Sequence, residues 1–142
     1  MRDKNNSYLN PKKINLLIVH CSDTADNLNI TAKDIHNMHI SFGWDGIGYH
    51  KIIDRKGIIE NGRPEYWIGA HVKKLNKVSL GVCLVGRSNF TKSQFKSLKK
   101  VLVEWKTKYP NAKILGHCDS TKTNKTCPNF DVQSWCVENQ LS

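Results

Sequence analysis

Nowhere in its 142 residues does the chain carry an apolar run long enough to cross a bilayer, so membrane insertion is not expected. Residues 1–13, MRDKNNSYLNPKK, lack the apolar core and small-residue cleavage site of a secretory signal, and synthesis and retention in the cytosol are expected. Internal repeats, low-complexity tracts and Gly/Ser linkers are missing too, and the length suits one compact domain. Cysteine is limited to Cys21, Cys83, Cys118, Cys127 and Cys136. That odd set has no zinc-finger spacing and reads as free thiols or metal ligands in a reducing compartment. Acidic groups are scarce, 12 against 22 Lys and Arg, for a net charge of +10. The excess attracts anionic partners, but no helix-turn-helix, zinc-finger or RNA-stacking pattern accompanies it, so a solvated surface is the better reading than direct nucleic-acid recognition.

With 39% hydrophobic and 24% charged residues the chain has the composition of a folded domain. Residues 1–13 read as a basic amino-terminal arm and residues 14–142 as the domain. Residues 14–19 (INLLIV) and 79–85 (SLGVCLV) are too apolar for half-exposed strands and predict strands buried on both faces. Thr31 to Asp34 resembles a capping box, followed by Ile35, Met38, His39 and Phe42 at helical spacing before Gly43. Residues 49–53 and 58–60 flank Asp54-Arg55-Lys56-Gly57 and predict a hairpin. Thr91 to Gln94 caps a second helix with Phe95, Leu98, Leu102, Trp105 and Tyr109 inward and its lysines solvated. A short strand at 112–116, a loop at 122–128 and a helix capped by Asp131 complete the order. The fold class expected is α/β: a central mixed β-sheet flanked by helices, with the site at one edge of the sheet.

His20 closes the first strand and His117 the strand at 112–116, so adjacent strands would bring two imidazoles together, with Cys127 in the following loop. Two histidines and a thiolate make a zinc site whose fourth position stays open for water, the catalytic arrangement. Spacing alone leaves hydrogen-bonded histidines and a buried free thiol as competing readings. Cys21 and Cys118 are rival ligands; in extended backbone each points away from the histidine beside it.

The fragments IVHCSDT (18–24), GWDGIGYHKII (43–53), GRP (62–64), GAHV (69–72), SLGVCLVG (79–86), GHCD (116–119) and KTCPNFDV (125–132) occur in an order that resembles the zinc N-acetylmuramoyl-L-alanine amidases. That superfamily includes phage lysis enzymes, wall-recycling amidases and peptidoglycan-recognition proteins. The resemblance implies one zinc ion held by His20, His117 and Cys127, with Tyr49 and Lys125 assisting catalysis and His71 lining the substrate groove. His36, His39 and His50 read as structural. It further implies peptidoglycan as substrate and, among compact phage relatives, a phage endolysin acting as a monomer. Such an enzyme would wait in the host cytoplasm and reach the periplasm or wall with the help of a separate membrane-permeabilising protein. A muropeptide-recycling amidase is the alternative, a phage RNA polymerase is a partner that some such relatives imply, and a noncatalytic binding module is disfavoured by the presence of Cys127. The chain departs from the family pattern at Lys51, at Arg87 and in the short segment 88–90, which bears on groove shape and stem-peptide preference.

Overall fold

A computed structural model describes residues 8–121 and 126–141. Five strands form one mixed sheet: β1 (Leu16–Cys21), β2 (Lys51–Ile53), β3 (Ile59–Asn61), β4 (Ser79–Leu84) and β5 (Lys113–Gly116). Their order is β3-β2-β4-β1-β5. Every neighbouring pair is parallel except β2 with β3, which form the expected hairpin. The helices are α1 (Ala32–Ser41), α2 (Lys92–Lys108), α3 (His117–Ser120) and α4 (Val132–Glu138), and the α/β expectation holds. None of the described helices is long and apolar enough to cross a membrane.

The central strands are buried on both faces, which is why their sequences are continuous apolar runs. One face packs Leu17, Val19, Leu80, Val82 and Leu84 against Leu98, Leu102 and Trp105 of α2 and against Val132 and Cys136 of α4. The other face presents Ile52 and Cys83 to Ala32 and Ile35 of α1. Both long helices begin with a capping box, Thr31 with Asp34 and Thr91 with Gln94, which satisfies amide protons that the first turn leaves unpaired.

Three details differ from the sequence expectation. The first strand runs two residues later, through His20 and Cys21, because these residues still pair with Cys83 and Leu84 of β4 and stay buried. In α1 the inward face consists of Ala32, Ile35 and His39, whereas Met38 and Phe42 are 38% and 59% exposed. The helix ends at Ser41, and Phe42 packs instead against Trp44, ring centroids 5.5 Å apart. His117 does not close β5 but opens α3, a single turn too short to leave a periodic signal. In the stretch read as an arm, residues 1–7 lie outside the described residues. Tyr8 bridges to Trp67, the Leu9 amide donates to the Tyr66 carbonyl at 2.9 Å, and the Leu9 side chain is buried.

Candidate active site and metal centre

Register alone brings the first two site residues together. Val19 pairs with Gly116 across β1 and β5, so the next residues, His20 near the end of β1 and His117 just past β5, come side by side at the carboxyl ends of parallel strands. Their ring centroids are 4.7 Å apart. Such strand ends are where ligands bind in open α/β sheets. The third residue arrives from the loop before α4. The Cys118 amide donates to the Cys127 carbonyl at 2.9 Å, and the Cys21 amide donates to the Cys127 sulfur at 3.0 Å. One donor atom each from His20, His117 and Cys127 then lies within 4.8 Å of the others.

These three border a groove of about 460 Å³, with Tyr49, His71, Trp44 and Asn129 in its walls. The Tyr49 ring lies 5.0 Å from that of His20. Burial, then the thiols of Cys83, Cys127 and Cys21 around it, pushes the Tyr49 phenol well above its usual range and keeps it protonated. Burial, helped by the charges of His117 and His50, lowers the basicity of His20 well below 6.5 and keeps the imidazole neutral. That is the form a metal ion binds. The Cys127 thiol is pushed up, first by its hydrogen bond with Cys21 and then by burial, while that bond draws the Cys21 thiol down. A coordinated divalent cation reverses the preference at Cys127 by removing its proton outright.

The donor set fits zinc: two imidazoles, that of His20 held neutral, and a sulfur already facing a backbone N–H that favours its thiolate. Three protein donors bordering a groove match the open, catalytic kind of centre rather than the closed, structural kind. Neither rival thiol belongs to that three-donor cluster. Cys21 borders the same groove, but its thiol is hydrogen-bonded to Cys127, and Cys118 belongs to α3 rather than to extended backbone, its sulfur 3.8 Å from Asp119. Lys125 lies outside the described residues. His36 and His39 accept amide protons from Ile47 and Gly48 at 3.1 and 2.9 Å. His50 accepts from the Gly81 amide at 3.1 Å and lies 2.8 Å from the Trp67 carbonyl. All three hold loops in place.

Trp44 and Asn129 are among the groove residues that the sequence did not single out. Trp44, 42% exposed, stands beside His39 at a centroid distance of 4.5 Å, and Asn129 bonds the Arg87 carbonyl at 2.5 Å. An aromatic directly after Gly43, the glycine that follows α1 and its cap Phe42, was the available signal for Trp44; Asn129 offered none. Arg87, a departure from the family pattern, pairs with Asp23 at 2.9 Å beside the groove.

Sheet, strand-end groove and three convergent donor atoms together make a candidate metal centre in an α/β fold, and sequence comparison supplies the family. The profile of N-acetylmuramoyl-L-alanine amidases matches residues 10–130, and the chain belongs to that family. It is 39% identical over 133 residues to the endolysin of Klebsiella phage KP32, covering 88% of this chain and 87% of that one. To the endolysin of Enterobacteria phage K11 it is 41% identical over 131 residues, covering 87% and 85%. The N-acetylmuramoyl-L-alanine amidase LysC from Clostridium intestinale superposes with a TM-score of 0.82 at 26% identity, covering 100% of this chain and 96% of that one.

Proposed function

We propose that the chain is a phage endolysin that hydrolyses the amide bond between N-acetylmuramic acid and L-alanine in bacterial peptidoglycan, with one zinc ion held by His20, His117 and Cys127. The observation that carries the reading is the convergence of those three donor atoms within 4.8 Å at a groove in an N-acetylmuramoyl-L-alanine amidase fold. When bound, zinc supplies Lewis acidity toward the amide carbonyl and makes water nucleophilic at neutral pH.

The chain's own residues do the rest. Tyr49, neutral and beside His20, orients the attacking water or hydrogen-bonds the oxygen that gains charge. Lys125, two residues before Cys127 in the sequence, is assigned by the family resemblance to catalysis, where an ammonium stabilises developing negative charge. Trp44 and Phe42 offer apolar ring faces on which a sugar or stem-peptide methyl can lie. Bond cleavage releases the amino group of L-alanine and leaves the carboxylate on the lactyl arm of the sugar.

The endolysin role and the recycling role share this chemistry and differ in substrate. Comparing rates on intact sacculi and on soluble anhydro-muropeptides separates them: rapid clearing of sacculi is expected, and activity confined to the soluble fragments would replace the endolysin reading.

A further inference from the structure

His71 touches His20 directly, His20 Nε2 lying 2.9 Å from His71 Nδ1, and its other nitrogen, Nε2, lies 3.3 Å from the Ser79 hydroxyl. Both ring nitrogens therefore have protein partners, which leaves neither for a primary hydrogen bond to substrate. From this contact chain we infer that His71 is a positioning residue, which with Ser79 fixes the tautomer of His20 and directs the Nδ1 lone pair of His20 to the metal. The inference rests on the proposed role of His20 as a zinc ligand.

The direction of each proton follows from the far end of the chain. A backbone carbonyl only accepts, and the Ser79 hydroxyl lies 2.7 Å from the Leu75 carbonyl, much closer than to His71. The single hydroxyl proton of Ser79 is spent there, so toward His71 its oxygen accepts and His71 Nε2 carries the proton. A neutral imidazole protonated on Nε2 has its lone pair on Nδ1, so His71 accepts and His20 Nε2 donates. His20 then bears no proton on Nδ1. Had the Ser79 proton pointed at His71, the chain would reverse, His71 would donate to His20, and His20 Nδ1 would carry a proton in place of a free lone pair.

The fold builds space for this chain at the cost of two side chains. A Cβ on Gly81 would stand 2.6 Å from His71 Nδ1, and one on Gly69 would stand 2.6 Å from His71 Cδ2. Glycine at both positions lets the imidazole lie against the backbone of β4. Asn76 fixes the approach, its side-chain oxygen accepting from the amides of His71 and Val72, both at 2.9 Å. Histidine ligands commonly donate their second ring N–H to an outer partner, and loss of such partners costs about 10–100-fold in metal affinity. Here the acceptor is another histidine, held in one tautomer by a serine.

The test uses the full chain labelled with 15N-histidine. Two-bond 15N–1H spectra of the metal-free protein should show both His20 and His71 protonated on Nε2; a His20 protonated on Nδ1 overturns the inference. Zinc affinity, measured by competition with a chromophoric chelator, should fall about 10–100-fold in His71→Ala and by less in Ser79→Ala. His71→Asn, whose side-chain oxygen can accept the His20 proton, should recover much of the loss. A folded His71→Ala with wild-type zinc affinity also overturns it. Wild-type protein that shows the expected tautomers yet takes up no zinc at His20 would instead count against the metal reading and support the proton arrangement.

Discussion

The backbone N–H of Cys21 points at the sulfur of Cys127 across 3.0 Å, joining the end of β1 to a loop 106 residues away in sequence. An amide aimed at sulfur favours the thiolate, and the same contact sets the sulfur beside His20 and His117.

Replacement of Cys127 by serine should therefore abolish zinc binding and turnover while leaving the fold and wall binding measurable, since a neutral hydroxyl is a far poorer ligand than a thiolate. Cys118→Ser, whose sulfur lies by Asp119, should keep its zinc. Metal analysis of the two purified variants decides it. Loss of zinc from Cys118→Ser with retention in Cys127→Ser would show that the ligand assignment is mistaken.

Tyr49→Phe should hold near-stoichiometric zinc and bind substrate, with the deficit concentrated in kcat, because the lost hydroxyl acts on charge that develops during reaction. Lys125→Ala should do likewise. A placed donor to an oxyanion contributes on the order of 3–4 kcal/mol, so a drop of about a hundredfold or more is expected. A small neutral muramyl-peptide as substrate removes the long-range attraction between a net charge of +10 and an anionic wall. Wild-type turnover by a zinc-loaded variant there would end that residue's catalytic role.

Trp44→Ala should raise KM with little change in kcat, since the indole stands in the groove wall rather than at the donor cluster. Aromatic contacts of this sort contribute roughly 0.5–1.5 kcal/mol, or about two- to tenfold. Steady-state kinetics on soluble muropeptides gives the split, and an effect confined to kcat would place Trp44 in the chemistry instead.

Stability should depend on the neutral burial of His50, whose pKa falls from 6.5 to about 4, chiefly through burial. The unfolded chain then binds a proton that the folded one refuses. Stability is thus full above pH 6.5 and declines as the pH falls from 6.5 toward about 4. His50 alone accounts for up to about 3 kcal/mol across that window. Burial lowers His39 in the same direction. Urea unfolding of the metal-free protein between pH 7 and 4.5 checks this, and an unchanged midpoint across the range would contradict it.

The elements that carry a local pattern were readable from sequence: the doubly buried runs of β1 and β4, the capped starts of α1 and α2, and the β2–β3 hairpin. Positions decided by tertiary contact were not. His20 and Cys21 look like a polar strand end, yet they pair with β4 and are buried. Phe42 continues the helical spacing but falls beyond the end of α1. The family resemblance singled out His71 as a groove residue, but its contacts with His20 and Ser79 join residues 51 and 8 positions away in sequence. No local periodicity records such a contact. The convergence of His117 with His20 was inferable only because both follow buried strands, and it was the register of β1 against β5 that placed the two rings side by side.

The most direct test of the account pairs metal analysis with a digest of purified sacculi, comparing zinc-loaded protein with the same preparation stripped by chelator and then reloaded. About one zinc per chain is expected, with release of new L-alanine amino termini and no new reducing sugars. Activity should vanish on stripping and return with zinc. Full activity in verified metal-free protein, or new reducing ends in place of new amino termini, would contradict it.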